Sequence, residues 1–96
     1  MLVTYRFRID DANAARTRRF TYQTRVPYPH APRIGEAVMI PTNDQDHDLG
    51  ARRVEDVIYT LDGGILLDFR LDGLVNDVDG QVETLLKAGY REVRET

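Results

Sequence analysis

The sequence predicts a mainly β fold with some helix (α+β): a small, partly open barrel of five strands followed by one C-terminal helix. Two observations carry the prediction. Apolar and polar residues alternate with a period of two along most of residues 1–71, which places one apolar row on one face of each strand. Beyond residue 76 the apolar spacing becomes that of a helix. The barrel is therefore expected over 1–71 and the helix, packed on it, over 76–89, within a single domain spanning 1–96.

The stretch from Ile34 to Leu71 organises the rest. In IGEAVMI, Val38 and Ile40 keep a period of two after Gly35, and Pro41 ends the run because proline cannot donate to a ladder. In ILLDFRL, Ile65, Leu67, Phe69 and Leu71 face one way while Leu66, Asp68 and Arg70 face the other. The run between them, VEDVIYT, breaks the rule: Val54 and Val57 are three apart, and an inserted residue forming a β-bulge is the simplest cause. Bulges bend strands, and bent strands are how a small sheet curls. Leu61-Asp62-Gly63-Gly64 tolerates the positive φ of a tight hairpin. The last two runs should thus pair, and all three should form an antiparallel meander.

Ahead of this core, Val3, Tyr5, Phe7 and Ile9 form one alternating row, and Phe20, Tyr22, Thr24 and Val26 form another. The polar segment DDANAARTR between them favours a turn, so the two runs should make a hairpin. Matching the aromatic rows sets Phe7 opposite Phe20 and Tyr5 opposite Tyr22. That register also sets Arg8 opposite Arg19 on the outer face, where like charges repel. The three prolines of Val26-Pro27-Tyr28-Pro29-His30-Ala31-Pro32-Arg33 then favour a stiff crossover to the meander, and Pro29-His30-Ala31-Pro32 also has the frame of a polyproline ligand.

At the other end, Val78, Val82, Leu85 and Leu86 make a helical stripe, with Glu83 and Lys87 as an exposed pair four apart. Gly89 suits the left-handed position that ends a helix, and Tyr90 can reach back to Leu85. A helix this short must dock to persist. Arg91 to Thr96 follows as a short edge strand or a frayed end. The expected core is Val3, Tyr5, Phe7, Ile9, Phe20, Tyr22, Val26, Val38, Ile40, Val54, Val57, Ile65, Leu67, Phe69, Val82, Leu85 and Leu86.

Hairpin, proline-spaced connector, the Pro32, Gly35, Glu36 lead into a strand, bulged strand and second hairpin together resemble the SH3-like small barrels over residues 1–71. The resemblance implies architecture alone, because such barrels serve unrelated partners.

Chemistry is sparse in this sequence. No glycine loop able to cradle a phosphate is present, since Gly63-Gly64 lacks the following helix and lysine. His30 and His47 sit in loops without a companion residue, and the chain has neither cysteine nor serine. A carboxylate dyad of Asp56 and Asp68 across the meander is one catalytic arrangement, but surface charges of this kind more often keep a sheet edge soluble. Asp44, Asp46, Asp48 and Glu55 have the spacing of a calcium loop, yet Leu49 stands where that loop needs glycine. The expectation is a non-enzymatic protein with no cofactor, no metal and no catalytic residue. An apolar run long enough for a membrane span is missing, and arginines occupy the place of a signal peptide's apolar stretch, so a cytoplasmic location is expected. A single lysine, Lys87, among 13 basic residues suggests a GC-rich coding genome, bacterial or phage.

Charge is the most informative feature. The net charge of −3 splits into +5 over residues 1–33 and −8 over residues 34–96. Arg6, Arg8, Arg19 and Arg25 all fall in the outer phase of the first hairpin, with Arg16, Arg18 and Arg33 as further candidates. Such a strip suits a binding or adaptor module whose partner is another protein or a second copy of itself, because a divided surface steers and orients encounter. The alternative is single-stranded nucleic acid bound through the same arginines. Against it, Tyr5, Phe7, Phe20 and Tyr22 all point inward and leave no stacking platform, and the pI of about 5.3 is acidic.

Overall fold

A computed structural model describes residues 1–11, 15–71 and 77–94. The protein is mainly β, with a five-stranded mixed sheet, a separate two-stranded sheet and one helix. The strands are β1 (Leu2–Asp11), β2 (Arg16–Arg25), β3 (Ala37–Met39), β4 (Ala51–Arg53), β5 (Asp56–Tyr59), β6 (Ile65–Leu71) and β7 (Arg91–Val93), and the helix α1 spans Val78–Lys87. The large sheet has the order β5-β6-β1-β2-β7, and β3 pairs with β4. No described helix is long and apolar enough to cross a membrane.

The first hairpin adopts the register set by its aromatic rows: Phe7 faces Phe20, Tyr5 faces Tyr22 and Arg8 faces Arg19. Burial follows the alternation, with Val3, Tyr5, Phe7 and Ile9 almost fully covered on the inner face. β5 and β6 form the second expected hairpin. It turns through Leu61-Asp62-Gly63, with Gly63 at φ 85° and Thr60 N–H donating to Gly64 O at 2.9 Å.

The meander is where the structure differs. β3 does not pair with the 54–59 run; it pairs with β4 at 51–53, a segment that lies between the expected runs and is not expected as a strand. Val54 still belongs to this small ladder, exchanging bonds with Gly35 N–H at 2.8 Å and Glu36 O at 2.9 Å. One residue later, Glu55 donates to Asp68 O at 2.8 Å, although the ladder partner of Asp68 is Asp56. Two residues therefore oppose one, and this bulge is where the chain leaves the small sheet for the large one. The irregular spacing of Val54 and Val57 marks a change of sheet.

β6 then runs parallel to β1, with Tyr5 beside Leu67 and Phe7 beside Phe69. This brings the two most apolar strands together at the centre of the sheet. Phe69 stacks on Tyr5 and Phe7, with ring centroids 6.2 and 5.1 Å apart, and Tyr90 meets Phe7 edge-on at 5.5 Å. The connector anchors this core from outside, because Tyr28 OH bonds Tyr5 OH at 2.8 Å and Pro32 is buried. A buried Pro32 removes the polyproline-ligand reading.

α1 packs on the inner face through Val78 and Leu85, with Val82 partly covered. Leu86 is a correction to the expected core, being 51% exposed. The helix is rolled so that Ala88, whose small side chain permits close approach, is buried instead, and Leu86 lies about 100° round from Leu85. The stop forms as expected: Gly89 has φ 97° and Tyr90 N–H donates to Leu85 O at 3.0 Å. β7 follows as a short edge strand beside β2. The expected start of the helix at residue 76, and the end of the chain beyond 94, lie outside the described residues.

Candidate functional site

The outer face of the large sheet carries the candidate site. By strand alternation, even positions of β1 and β6 and odd positions of β2 and β7 point away from the core. The four expected residues, Arg6, Arg8, Arg19 and Arg25, therefore share one face, with Arg25 at the far end of the β1–β2 ladder opposite Leu2. Arg70 joins them from β6. Sheet pairing lines up Arg70, Arg8 and Arg19 side by side across three strands. Such a row is repulsive in itself.

The diagonal neighbours resolve the repulsion. Asp68 stands next to Arg6 in the parallel ladder and one row from Arg8. Arg6 Nε donates to Asp68 Oδ1 at 2.9 Å, and Arg8 Nε lies 2.8 Å from Asp68 Oδ2 as an ion pair without hydrogen-bond geometry. Asp68 is only 3% exposed, so its carboxylate is held almost out of water beneath two guanidinium groups. On the other side of the row, Arg70 reaches Asp10 Oδ2 at 3.0 Å. A hydrogen bond from Thr17, reinforced by Arg70, holds the Asp10 carboxyl below its ordinary range.

The remaining arginine candidates do not join this face. Arg18 turns to the inner side, lies over the Phe20 ring at 5.5 Å, and grips Glu92 with two bonds of 2.8 and 2.6 Å. The Arg18 hydrogen bond lowers the Glu92 pKa, and Glu92 in turn raises that of Arg18. Arg16 is of the inner phase opposite Asp11 at the end of the ladder. Arg33 sits in the connector, its N–H bonded to Glu36 Oε1 at 2.7 Å.

The other candidate chemistries are not assembled. Asp56 and Asp68 do face each other across β5 and β6, but Asp56 Oδ1 accepts the Val57 N–H at 2.9 Å while Asp68 turns to the arginines. The two carboxylates do not share a proton site. In the acidic loop, Asp44 Oδ1 caps Asp46 N–H at 3.1 Å and Asp48 Oδ1 caps Gly50 N–H at 2.7 Å. These aspartates form backbone turns, and among the described residues no three His, Cys, Asp or Glu side chains come together to hold a metal ion.

Asp68 is the residue that sequence reasoning undervalued. Alternation places it in the outer phase, but only the parallel β1–β6 pairing brings it to Arg6, and nothing local in the sequence signals that pairing. No protein-family model matches the chain, and comparison with curated proteins and with solved structures found no match.

Proposed function

We propose that the protein is a small non-enzymatic binding or adaptor module that recognises another protein, or a second copy of itself, across the outer face of its large sheet. The observation that carries this reading is the Asp68 pairing: the basic strip is neutralised at its centre by a desolvated carboxylate. A phosphate backbone approaching Arg6 and Arg8 would have to compete with that carboxylate, whereas nucleic-acid affinity depends on freely offered cations. Arginines already held in place suit a protein surface, where oriented charge sets register and specificity. Apolar Ile58 and Val93, 41% and 45% exposed, flank the strip, and mixed apolar and arginine surfaces are typical of protein interfaces.

A partly open barrel of the SH3-like kind belongs to the same proposal. Val54 and Glu55 carry one strand from the small sheet into the large one, as happens at a barrel corner. The parallel β1–β6 pair is a departure from an all-antiparallel meander.

The test is fluorescence anisotropy of labelled single- and double-stranded oligonucleotides titrated with the protein at two salt concentrations, beside an Arg19→Glu/Arg25→Glu variant. No salt-dependent binding is expected. Binding that falls steeply with salt and disappears in the variant would replace this reading with the nucleic-acid one.

A further inference from the structure

On the inner side of the large sheet, α1 and the small sheet border a cleft of about 370 Å³. Small-molecule sites commonly measure about 300–1,000 Å³. Phe7 and Leu71 of the large sheet form its floor, Leu85 closes it on the α1 side, and Arg52 lines it from β4.

The α1 wall carries three polar residues, Asp77, Gln81 and Thr84. Their spacing of four and three aligns them on one stripe of the helix. Each offers an acceptor. Gln81 Oε1 is buried and receives no hydrogen bond from any described residue. Buried polar atoms are almost always paired, and one left without a partner costs stability. Thr84 Oγ1 gives its own hydrogen to Gly80 O at 2.9 Å, so toward the cleft it can only accept. Asp77 holds the N-cap position, yet its side chain makes no capping bond. Its carboxylate lies beside Gly80, where a Cβ would stand 2.7 Å from Asp77 Oδ1. Glycine weakens a helix, and at this position it leaves the room that the carboxylate occupies. The β4 side supplies the opposite chemistry. Arg52 is directly opposed to Val38 in the small ladder, so the two share a face, and Val38 belongs to the core. The Arg52 guanidinium is a fork of donors whose shape matches a carboxylate.

We propose that this cleft binds a free apolar α-amino acid. The ligand's ammonium has three N–H donors, and the helix stripe has three acceptors to receive them: Gln81 Oε1, Thr84 Oγ1 and the Asp77 carboxylate. The ligand's carboxylate pairs with Arg52, and its side chain rests on Phe7, Leu71 and Leu85. Ligands with one charge satisfy only half of the site. A simple amine would leave Arg52 without a counter-charge, and a simple carboxylic acid would leave Gln81 Oε1 unpaired beside a second carboxylate. The cleft and the arginine strip lie on opposite faces of the large sheet, so this site does not depend on the protein-binding reading.

The experiment titrates the full chain with L-leucine and follows its backbone amides by two-dimensional NMR, beside titrations with isocaproate, which lacks the ammonium, and isoamylamine, which lacks the carboxylate. Leucine should shift the amides of Gln81, Thr84 and Leu85 saturably, and each analogue should bind at least about tenfold more weakly. Gln81→Leu and Arg52→Met should each weaken leucine binding by about tenfold or more. Gln81→Leu also removes the unpaired carbonyl, so it should melt no lower than the wild type; a glutamine that only supports the fold would lower the melting temperature. Arg52 is exposed, so Arg52→Met decides the matter even if Gln81→Leu folds poorly. No saturable shift with leucine, analogues that bind as tightly as leucine, or leucine binding unchanged in the folded variants would each overturn the proposal. Oligonucleotide binding would overturn the protein-binding reading alone and leave these titrations as they stand.

Discussion

Asp68 and Arg6 are neighbours in the parallel β6–β1 ladder, and Arg6 Nε donates to the Asp68 carboxylate at 2.9 Å. Their sequence separation is 62, so this bond ties the acidic part of the chain to the basic part through the middle of the sheet. Arg18–Glu92 does the same at the β2–β7 edge. The division of charge along the sequence is thereby largely reunited in space.

Replacing Asp68 by alanine leaves Arg6 and Arg8 without their shared acceptor and restores the repulsion of the Arg70, Arg8, Arg19 row. Because the two arginine side chains keep 26% and 35% exposure, water recovers part of the loss. The expected cost is about 1–3 kcal/mol, read as a lower urea midpoint at unchanged slope.

The Arg18–Glu92 pair makes stability depend on acid. Glu92 titrates below its ordinary 4.5 in the folded chain because of the Arg18 hydrogen bond. Its contribution is therefore complete above pH 4.5 and is lost as pH falls through the lowered folded value. Glu92→Gln should be less stable than the wild type at pH 7 by about 0.5–1 kcal/mol, and the gap should close as pH falls below 4.5 and through the lowered folded value. Thermal melts across that range check it; a gap constant with pH would refute the assignment.

Alkali acts through the buried tyrosines. Burial, with the Tyr28 hydrogen bond second, pushes the Tyr5 hydroxyl well above 10, and burial does the same to Tyr90. Folded chains then keep protons that unfolded chains release, so stability falls as pH rises above 10. Tyr5→Phe should lose about 1 kcal/mol at pH 7 with the Tyr28 bond, yet unfold less steeply with rising pH above 10.

Gly89 adopts a left-handed conformation at the end of α1, and a Cβ there would collide with the Asn43 amide and approach the Tyr22 ring. Asn43 is itself held, by Tyr22 OH at 2.7 Å and by its N–H to Ala88 O at 2.9 Å. Gly89→Ala should destabilise by about 2–3 kcal/mol, with a drop in melting temperature, whereas Gly63→Ala, whose Cβ meets nothing, should cost only the conformational part.

Local signals made much of this fold legible. Two aromatic rows of equal phase determine the β1–β2 register, and a left-handed glycine after Leu61-Asp62 determines the β5–β6 hairpin. Pairings between distant segments left no such trace. Ala51–Arg53 carries no alternating apolar row that would announce a strand, because all three of its residues are exposed. The parallel β1–β6 contact depends on which apolar strands reach the centre of the sheet, a matter of global packing. For the same reason the four site arginines could be placed on one face from alternation alone, while the carboxylate that neutralises two of them could not.

The most direct test of the account compares labelled single-stranded oligonucleotide binding by the wild type and an Asp68→Asn variant, by anisotropy at low and physiological salt. If Asp68 neutralises the strip, the wild type shows no salt-dependent binding, and the variant, once circular dichroism shows it folded, gains weak binding that salt abolishes. Wild-type binding as tight and as salt-sensitive as that of the variant would contradict the account and make the outer arginines a nucleic-acid surface.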